Sequence, residues 1–292
     1  MYHRVSRNAN GISVLILIFN CTKMEGMEKE TAAGINGKYD IPIAGVIGGV
    51  GPYAGLDFVS KIFANTLATR DQDHLNCMLI SCSSIIPDRT EFLLQNKREE
   101  ENPAYGMFEC ARRLYLAGVR FVVVACNTAH ANRIFGSFCK MVKDSLPGLN
   151  IINMLETCAG FVKKNPEIAK LGYLATKGTF KSGVYHEYFR KEDGFDLIEP
   201  DVLGQEEIHQ AIYNEDFGLK AYSQPAKTEA VDRLNREIYK LIDRGAKAVI
   251  LGCTELSLGV QKSTYPVPII DPALIAARRL IEITAPDKLI PL

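Results

Sequence analysis

Leu114-Tyr-Leu-Ala-Gly-Val-Arg-Phe-Val-Val-Val-Ala-Cys126 is repeated later in the chain as Leu241-Ile-Asp-Arg-Gly-Ala-Lys-Ala-Val-Ile-Leu-Gly-Cys253. Leucine, glycine and cysteine match at one shift of 127 residues, and in each copy an apolar run ends in the cysteine. The same shift places Gly45 on Gly172 and Gly51 on Gly178. The repeat therefore predicts two similar lobes, each with a thiol at the end of a strand.

Apolar runs alternate with amphipathic stretches from residue 41 onward, which indicates an α/β fold with mainly parallel sheets. The predicted strands are Ile43–Gly48, Cys77–Ser81, Arg120–Ala125, Ile151–Asn153, Leu171–Ala175, Ala248–Leu251 and Val267–Ile270. The predicted helices are Gly55–Thr69, Tyr105–Ala117, Ala129–Lys143, Val184–Arg190, Glu206–Tyr213 and Lys227–Asp243. We expect two pseudo-symmetric lobes, each a sheet flanked by helices, with the active site in the cleft between them. Residues 41–146 plus 272–292 are the predicted first lobe, and residues 147–271 the second.

Composition excludes several classes of protein. The 34 basic residues balance the 34 acidic ones and form no basic run, so no nucleic-acid partner is expected. The eight cysteines contain no Cys-x-x-Cys pair, and the five histidines show no metal-ligand spacing. We therefore expect no metal, and free thiols in a reducing, cytoplasmic compartment.

The first 40 residues differ from the rest of the chain. Arg4 and Arg7 precede the apolar run Ile12–Phe19, loosely like a secretory signal, but no Ala-x-Ala site follows. The run is shorter than the roughly 20 residues that a membrane span needs. We expect a disordered or upstream-start extension and no membrane partner, with a secretory signal as the alternative.

The two repeated cysteines suit one particular chemistry. Ligands of α/β sheets bind at the carboxyl ends of the strands, where Cys126 and Cys253 are expected. Two facing lobes would place these thiols on opposite sides of one small ligand. Racemisation at a Cα atom needs a base on one face and an acid on the other, and a cysteine pKa can be lowered from about 8.5. The alternative is that both are packing residues, as the other six cysteines are expected to be.

A racemase without a pyridoxal or metal electron sink needs hydrogen-bond donors around the substrate carboxylate. The candidate donors are Asn127, Thr128, Thr176, Thr179 and Thr254. The glycine-rich turn near residue 50 lacks the dinucleotide-loop spacing, and Pro52 has no N–H for a phosphate. We expect this turn, at Val50 and Pro52, to bring the backbone against the substrate instead.

Six motifs in order resemble the aspartate racemase branch of the aspartate/glutamate racemases, over residues 41–285. They are Ile47-Gly-Gly-Val-Gly-Pro52, Arg70-Asp-Gln-Asp-His74, Ile86-Pro-Asp-Arg-Thr90, Ala125-Cys-Asn-Thr-Ala-His130, Leu174-Ala-Thr-Lys-Gly-Thr179 and Leu251-Gly-Cys-Thr-Glu-Leu256. The resemblance implies the pseudo-twofold fold, a homodimer, no cofactor, and Cys126 and Cys253 as the acid/base pair.

The resemblance also implies residues that bind substrate. Arg89 takes the position of the substrate-binding arginine, and Asn127, Thr128 and Ala129 that of the residues after the first cysteine. The family's lysine after an Ile-Tyr pair corresponds to Lys220, although the spacing from Ile212-Tyr213 is longer than usual.

One position bears on the substrate. Glutamate racemases usually have histidine after the second Cys-Thr, whereas Glu255 stands there in this chain, which favours aspartate. From the sequence, Glu255 has two open roles: to orient the second thiol or to favour a helix N-terminus. The predicted function is the interconversion of L- and D-aspartate, possibly of glutamate, by proton transfer between two cysteines. A decarboxylase-type lyase and a non-catalytic dicarboxylate-binding protein on the same scaffold are the alternatives.

Overall fold

The computed structural model describes residues Pro42–Gln261 and Thr264–Pro291. The predicted N-terminal extension, with its signal-like run, lies outside the described residues. Within the described part of the chain, no helix is both long enough and apolar enough to cross a membrane.

Two four-stranded parallel sheets form the framework. The first contains β1 (Ala44–Gly48), β2 (Cys77–Ser81), β3 (Phe121–Val124) and β4 (Asn150–Ile152) in the order β2-β1-β3-β4. The second contains β5 (Lys170–Ala175), β6 (Asp196–Ile198), β7 (Ala248–Gly252) and β8 (Ile269–Ile270) in the order β6-β5-β7-β8. The strand order is therefore the same in both sheets, which confirms the predicted α/β fold with two similar lobes.

Helices cover both faces of each sheet, as buried parallel strands require. They are α1 (Pro52–Ala64), α2 (Arg89–Leu94), α3 (Pro103–Leu116), α4 (Asn132–Ser145), α5 (Met154–Lys163), α6 (Lys177–Ser182), α7 (Val184–Tyr188), α8 (Val202–Tyr213), α9 (Thr228–Asp243), α10 (Leu256–Gly259) and α11 (Pro272–Thr284). Helices α3 and α4 pack on one face of the first sheet, and α1 and α11 on the other. Helices α8 and α9 cover one face of the second sheet, and α5 and α7 the other.

The helix that follows each sheet packs on the other sheet. Leu155 and Cys158 of α5, which follows β4, lie in a core cluster with Tyr173 of β5. Leu280 of α11, which follows β8, lies in a cluster with Val46 of β1. Helices α5 and α11 also pack against each other. Because each of these two helices packs on the sheet of the other lobe, they hold the lobes together. The first sheet includes β4, which follows the boundary predicted after residue 146, and the lobe boundaries themselves stay a prediction.

Several element ends differ from the predicted ones for local reasons. Helix α1 begins at Pro52 rather than Gly55, because proline fits the first helical position, where no N–H partner is needed. Helix α4 begins at Asn132 rather than Ala129, because Thr128–His130 forms a separate 3₁₀ turn. The short strand β6 was not among the predicted strands.

Helix α6 lies so close to α2 that only glycine fits at position 178. A Cβ atom on Gly178 would lie 2.6 Å from the Cα atom of Thr90. Around Gly160 of α5, by contrast, no described atom lies within 4 Å of an added Cβ. Two glycines within helices thus differ in the space around them.

Gly178→Ala is expected to destabilise the protein and Gly160→Ala to stabilise it. Overpacking costs about 1–3 kcal/mol, which exceeds the gain of about 0.5–1 kcal/mol from replacing a helical glycine by alanine. At Gly160 no overpacking opposes the substitution, so only the gain from replacing a helical glycine is expected. Thermal unfolding of both variants measures the difference, and equal shifts in the melting temperature would contradict the close approach of α6 to α2.

Candidate active site

The two repeated cysteines lie at equivalent points of the two sheets. Cys126 follows β3 after one residue, and Cys253 directly follows β7. Both are nearly closed off from solvent, at 6 % and 5 % exposure. The Thr254 hydroxyl, next to Cys253, donates a hydrogen bond of 3.2 Å to the carbonyl oxygen of Ala125, next to Cys126. The two strand ends that carry the thiols therefore meet.

A cleft of about 350 Å³ opens beside these strand ends. Its lining consists of Gly49, Val50, Gly51, Pro52, Tyr53, Ser83, Ile86, Asp88, Arg89, Lys220, Ser223 and Glu255. Two cationic and two acidic side chains thus face one small space. The predicted substrate residues Val50, Pro52, Arg89 and Lys220 all line the cleft, whereas neither cysteine is among the lining residues.

The turn after β1 forms one wall of the cleft. Gly49 has a φ of 73°, and a Cβ atom there would lie 2.5 Å from the backbone nitrogen of Cys82. A side chain on Gly51 would collide with the carboxylate of Glu255. The glycines thus let this turn approach both β2 and the second lobe, as close approach without a side chain permits.

Arg89 begins α2 and points into the cleft. Asp88 caps this helix by accepting the backbone N–H of Glu91 at 2.7 Å. The buried guanidinium donates to the carbonyl oxygens of Pro87, at 3.2 Å, and Val50. Its Nε has no hydrogen-bond partner among the described residues. Burial opposes the charge, but the Cys126 thiolate and the Asp88 carboxylate raise the pKa of Arg89 above its ordinary value.

Four buried threonines join the lobes behind the cleft. The Thr90 hydroxyl donates to Thr176 Oγ1 at 3.0 Å, and Thr128 Oγ1 pairs with Thr179 Oγ1 at 2.8 Å. Thr176 caps α6 and also lies 3.3 Å from Thr128. The structure therefore brings together three of the predicted donors, Thr128, Thr176 and Thr179. It adds Thr90, which belongs to the Pro-Asp-Arg-Thr motif but was not a predicted site residue.

Two residues near Cys126 have different roles. The Asn127 side chain accepts a hydrogen bond of 2.8 Å from the Tyr185 hydroxyl, and its buried Nδ2 has no partner among the described residues. His130 accepts the N–H of Met154 at Nε2 and donates from Nδ1 to the carbonyl oxygen of Cys126. Burial lowers the pKa of His130 to about 4, so it is a neutral brace for the turn. Asn127 is left with an unused donor beside the thiol.

Glu255 connects the second thiol to a cation. The Cys253 thiol donates to Glu255 Oε2 at 3.0 Å, and Lys220 Nζ donates to Oε1 at 2.7 Å. Burial favours the neutral carboxyl, but Lys220 and the hydrogen bond from Cys253 lower the pKa of Glu255 to about 2. Burial and the Glu255 carboxylate raise the pKa of Cys253 well above its ordinary value.

The longer spacing before Lys220 is taken up by a closed turn. After α8, the N–H of Gly218 returns to the carbonyl oxygen of Asn214 at 2.8 Å. The N–H of Lys220 then bonds the carbonyl oxygen of Ile212 at 3.0 Å. Lys220 Nζ lies 5.1 Å from the centre of the Tyr213 ring. Burial opposes its charge, but Glu255 raises the pKa of Lys220 above its ordinary value.

The structure also places residues that the sequence did not single out. Tyr213 donates to the Asp88 carboxylate at 3.1 Å. Asp88 precedes Arg89 in its motif, and Tyr213 belongs to the Ile212-Tyr213 pair before Lys220. Ala129 lies in the first core cluster and does not line the cleft. Among the described residues, no three histidine, cysteine, aspartate or glutamate side chains group together as metal ligands would.

Comparison with known proteins identifies the fold and the family. The broad specificity amino-acid racemase RacX of Bacillus subtilis (strain 168) is 25 % identical over 242 residues, 81 % of this chain and 96 % of that protein. The Picrophilus torridus aspartate racemase structure shares 27 % identity and a TM-score of 0.70, covering 86 % of this chain and 96 % of that one. An aspartate racemase homologue from Pyrococcus horikoshii OT3 has the same fold, with 23 % identity, a TM-score of 0.64, and coverage of 84 % and 100 %. A sequence model of the Asp/Glu/hydantoin racemase family matches residues 47–280, and the chain belongs to this family of isomerases.

Proposed function

We propose that this protein racemises aspartate, with glutamate as the second candidate substrate, by proton transfer between Cys126 and Cys253 without a cofactor. The observation that carries the proposal is the hydrogen bond from Thr254 to Ala125, which joins the two thiol-bearing strand ends. One thiolate removes the Cα proton from one face while the other thiol delivers a proton to the opposite face. The predicted homodimer and cytoplasmic location remain part of this proposal.

The surroundings of the thiols support the charge that the reaction develops. As the Cα proton leaves, negative charge spreads into the substrate's α-carboxylate, and preorganised donors lower its energy. Arg89 Nε and Asn127 Nδ2 are buried donors without a partner among the described residues, so both are free to bind a ligand. Thr128, Thr176, Thr179 and Thr254 remain proposed donors, although none of them lines the cleft.

The cleft's size and its two cationic side chains support a small dicarboxylic amino acid as the proposed substrate. Its volume of about 350 Å³ is at the small end of ligand sites. Arg89 and Lys220 offer two cations for two carboxylates, and a guanidinium can bind a carboxylate through two parallel hydrogen bonds. Purified protein without added cofactor, assayed against a panel of single enantiomers, tests the substrate, and release of carbon dioxide would point instead to the decarboxylase alternative.

Racemisation is expected to survive dialysis against a metal chelator and treatment with a carbonyl reagent that traps pyridoxal. The reason is that the two thiols supply both proton-transfer groups. Chiral chromatography of the products measures the activity, and a pyridoxal-dependent racemase serves as the positive control for the reagent. Loss of turnover after either treatment would rule out the thiol-only mechanism.

Arg89→Lys is expected to lower kcat/KM for aspartate by roughly ten- to hundredfold, the effect of losing charged hydrogen bonds. Lysine keeps the charge but lacks the planar fork. Arg236→Lys on the exposed surface of α9 is the matched control and should leave kcat/KM unchanged. Equal kinetics for both variants would remove Arg89 from the substrate site.

Cys126→Ala and Cys253→Ala are each expected to abolish racemisation while the protein stays folded. A base takes only the proton that points at it, so a remaining thiol can exchange the Cα proton of one enantiomer alone. Deuterium wash-in, followed by NMR for each enantiomer, should show opposite preferences in the two variants. Cys139→Ala on α4 is the control and should retain full turnover.

Full racemisation by either site variant would contradict the two-thiol mechanism. Exchange of both enantiomers by one variant would contradict the assignment of one thiol to each face.

A further inference from the structure

The two cysteines are equivalent in the fold but not in their surroundings. The shift of 127 residues that pairs Cys126 with Cys253 also pairs Thr128 with Glu255. Thr128 is neutral and its hydroxyl bonds other threonines, whereas Glu255 contacts the Cys253 thiol directly. One lobe therefore has a carboxylate beside its thiol where the other lobe has a hydroxyl.

The contacts of Glu255 favour a protonated Cys253. Glu255 Oε2 accepts a hydrogen bond from the Cys253 thiol at 3.0 Å, while Oε1 accepts one from Lys220. Glu255 is buried, with 3 % exposure, although it lies at the edge of the cleft. A Cys253 thiolate at the same distance would face a like charge in a site of low dielectric constant, which is unfavourable.

The matching position beside Cys126 has no carboxylate, because Thr128 stands there. Of the two thiols, Cys253 is therefore the one whose contact with Glu255 favours the protonated form.

We propose that Glu255 is a positioning residue that holds Cys253 as the protonated thiol in the resting enzyme, so that Cys126 is the base that acts first. This inference rests on the racemase function proposed above. The resting enzyme then acts first on the enantiomer whose Cα proton faces Cys126. Lys220 is the counter-ion that keeps Glu255 ionised inside the protein.

The proton balance of one turnover follows. A lone pair on Cys126 Sγ forms an S–H bond as the substrate's Cα–H bond breaks, and the bonding electrons pass into the α-carboxylate-stabilised carbanion. The carbanion then takes the proton from Cys253 on its opposite face. Cys253 is left as a thiolate beside the Glu255 carboxylate, and Cys126 as a thiol. Exchange of protons with solvent, or the reverse reaction on the other enantiomer, restores the resting state.

Several titratable groups act on Cys253 besides Glu255. They are Lys220 from the turn after α8, Cys126 from the end of β3, Tyr185 from α7 and Tyr213 from α8. Glu255 and Lys220 have opposite charges and hydrogen-bond each other. Removing them one at a time should therefore move the ionisation of Cys253 in opposite directions.

The test is the ultraviolet absorbance of thiolate as a function of pH for the wild type, Glu255→Gln and Lys220→Met. Each protein is compared with the same protein carrying Cys253→Ala, so that the difference reports Cys253 alone. Removal of the like charge in Glu255→Gln should lower the Cys253 pKa by roughly 1–3 units. Lys220→Met should raise it. General damage to the site would not shift the two variants in opposite directions.

Turnover provides the second readout. Cys253 must be protonated to act as the acid, so kcat is lost as the pH rises through its pKa. Glu255→Gln should move this alkaline limb of the kcat profile to lower pH by the same amount as the thiolate titration. Glu255→Asp, which keeps the charge, should restore most of the wild-type profile.

The inference is overturned if Cys253 titrates at the same pH in the wild type and Glu255→Gln, or if both variants shift it the same way. If Glu255→Gln does not fold, an unchanged or lowered Cys253 pKa in Lys220→Met overturns it equally. Titration needs no turnover, so these outcomes are separate from the proposed function, which fails if the wild type neither racemises nor exchanges Cα protons.

Discussion

The site depends on the close approach of the two sheet ends, which are joined by the hydrogen bond between Thr254 and the carbonyl oxygen of Ala125. Parallel sheets end in a row of backbone carbonyls and loop N–H groups, and buried polar groups must find partners. Here each lobe supplies partners for the other. The threonines that join α2 and α6 follow the same rule, and glycine at position 178 allows the required approach. The cleft is what remains where the two sheet ends cannot fill the space between them.

The need of buried polar groups for partners also explains why the charged side chains of the site are paired. A carboxylate as deeply buried as Glu255 is tolerated only with a cation and further donors around it, because removing one partner leaves an uncompensated charge. Lys220 fills this need, and its backbone bond to Ile212 fixes the lysine against the end of α8. The closed turn between Asn214 and Gly218 is therefore compatible with the site despite its extra length.

Much of the fold could be predicted because the sequence repeat corresponds directly to two similar lobes. The matched glycines and cysteines indicate two sheets of one design, and the observed strand orders agree. Strand β6 escaped prediction because three residues beginning with the charged Asp196 carry little periodic signal. Helices α5 and α11 are not among the predicted helices. Their exchange between the sheets could not be predicted either, since an amphipathic pattern shows that a face is buried but not which sheet buries it.

Prediction of the site was limited for a different reason. Lys220 and Arg89 could be placed by their motifs, but the partner of Glu255 could not, because a carboxylate after a strand-end cysteine serves a helix N-terminus or a thiol equally well in sequence. In the structure the Glu255 side chain does not cap α10, although Glu255 precedes that helix, and its Oε2 accepts a hydrogen bond from the Cys253 thiol.

The asymmetry at Glu255 has a physical reason. A racemase must treat two mirror-image ligands alike, which favours a repeated scaffold with one thiol on each face. In the proposed mechanism the pair of cysteines holds a single transferable proton at any moment, and two lobes with identical surroundings would leave its position undetermined. We propose that the Glu255 carboxylate, present in one lobe only, biases that position without altering the geometry that the repeat provides. The equilibrium between the enantiomers is unaffected, because an enzyme changes only the path. What the bias sets is which form of the free enzyme accumulates, and so which enantiomer meets a ready base.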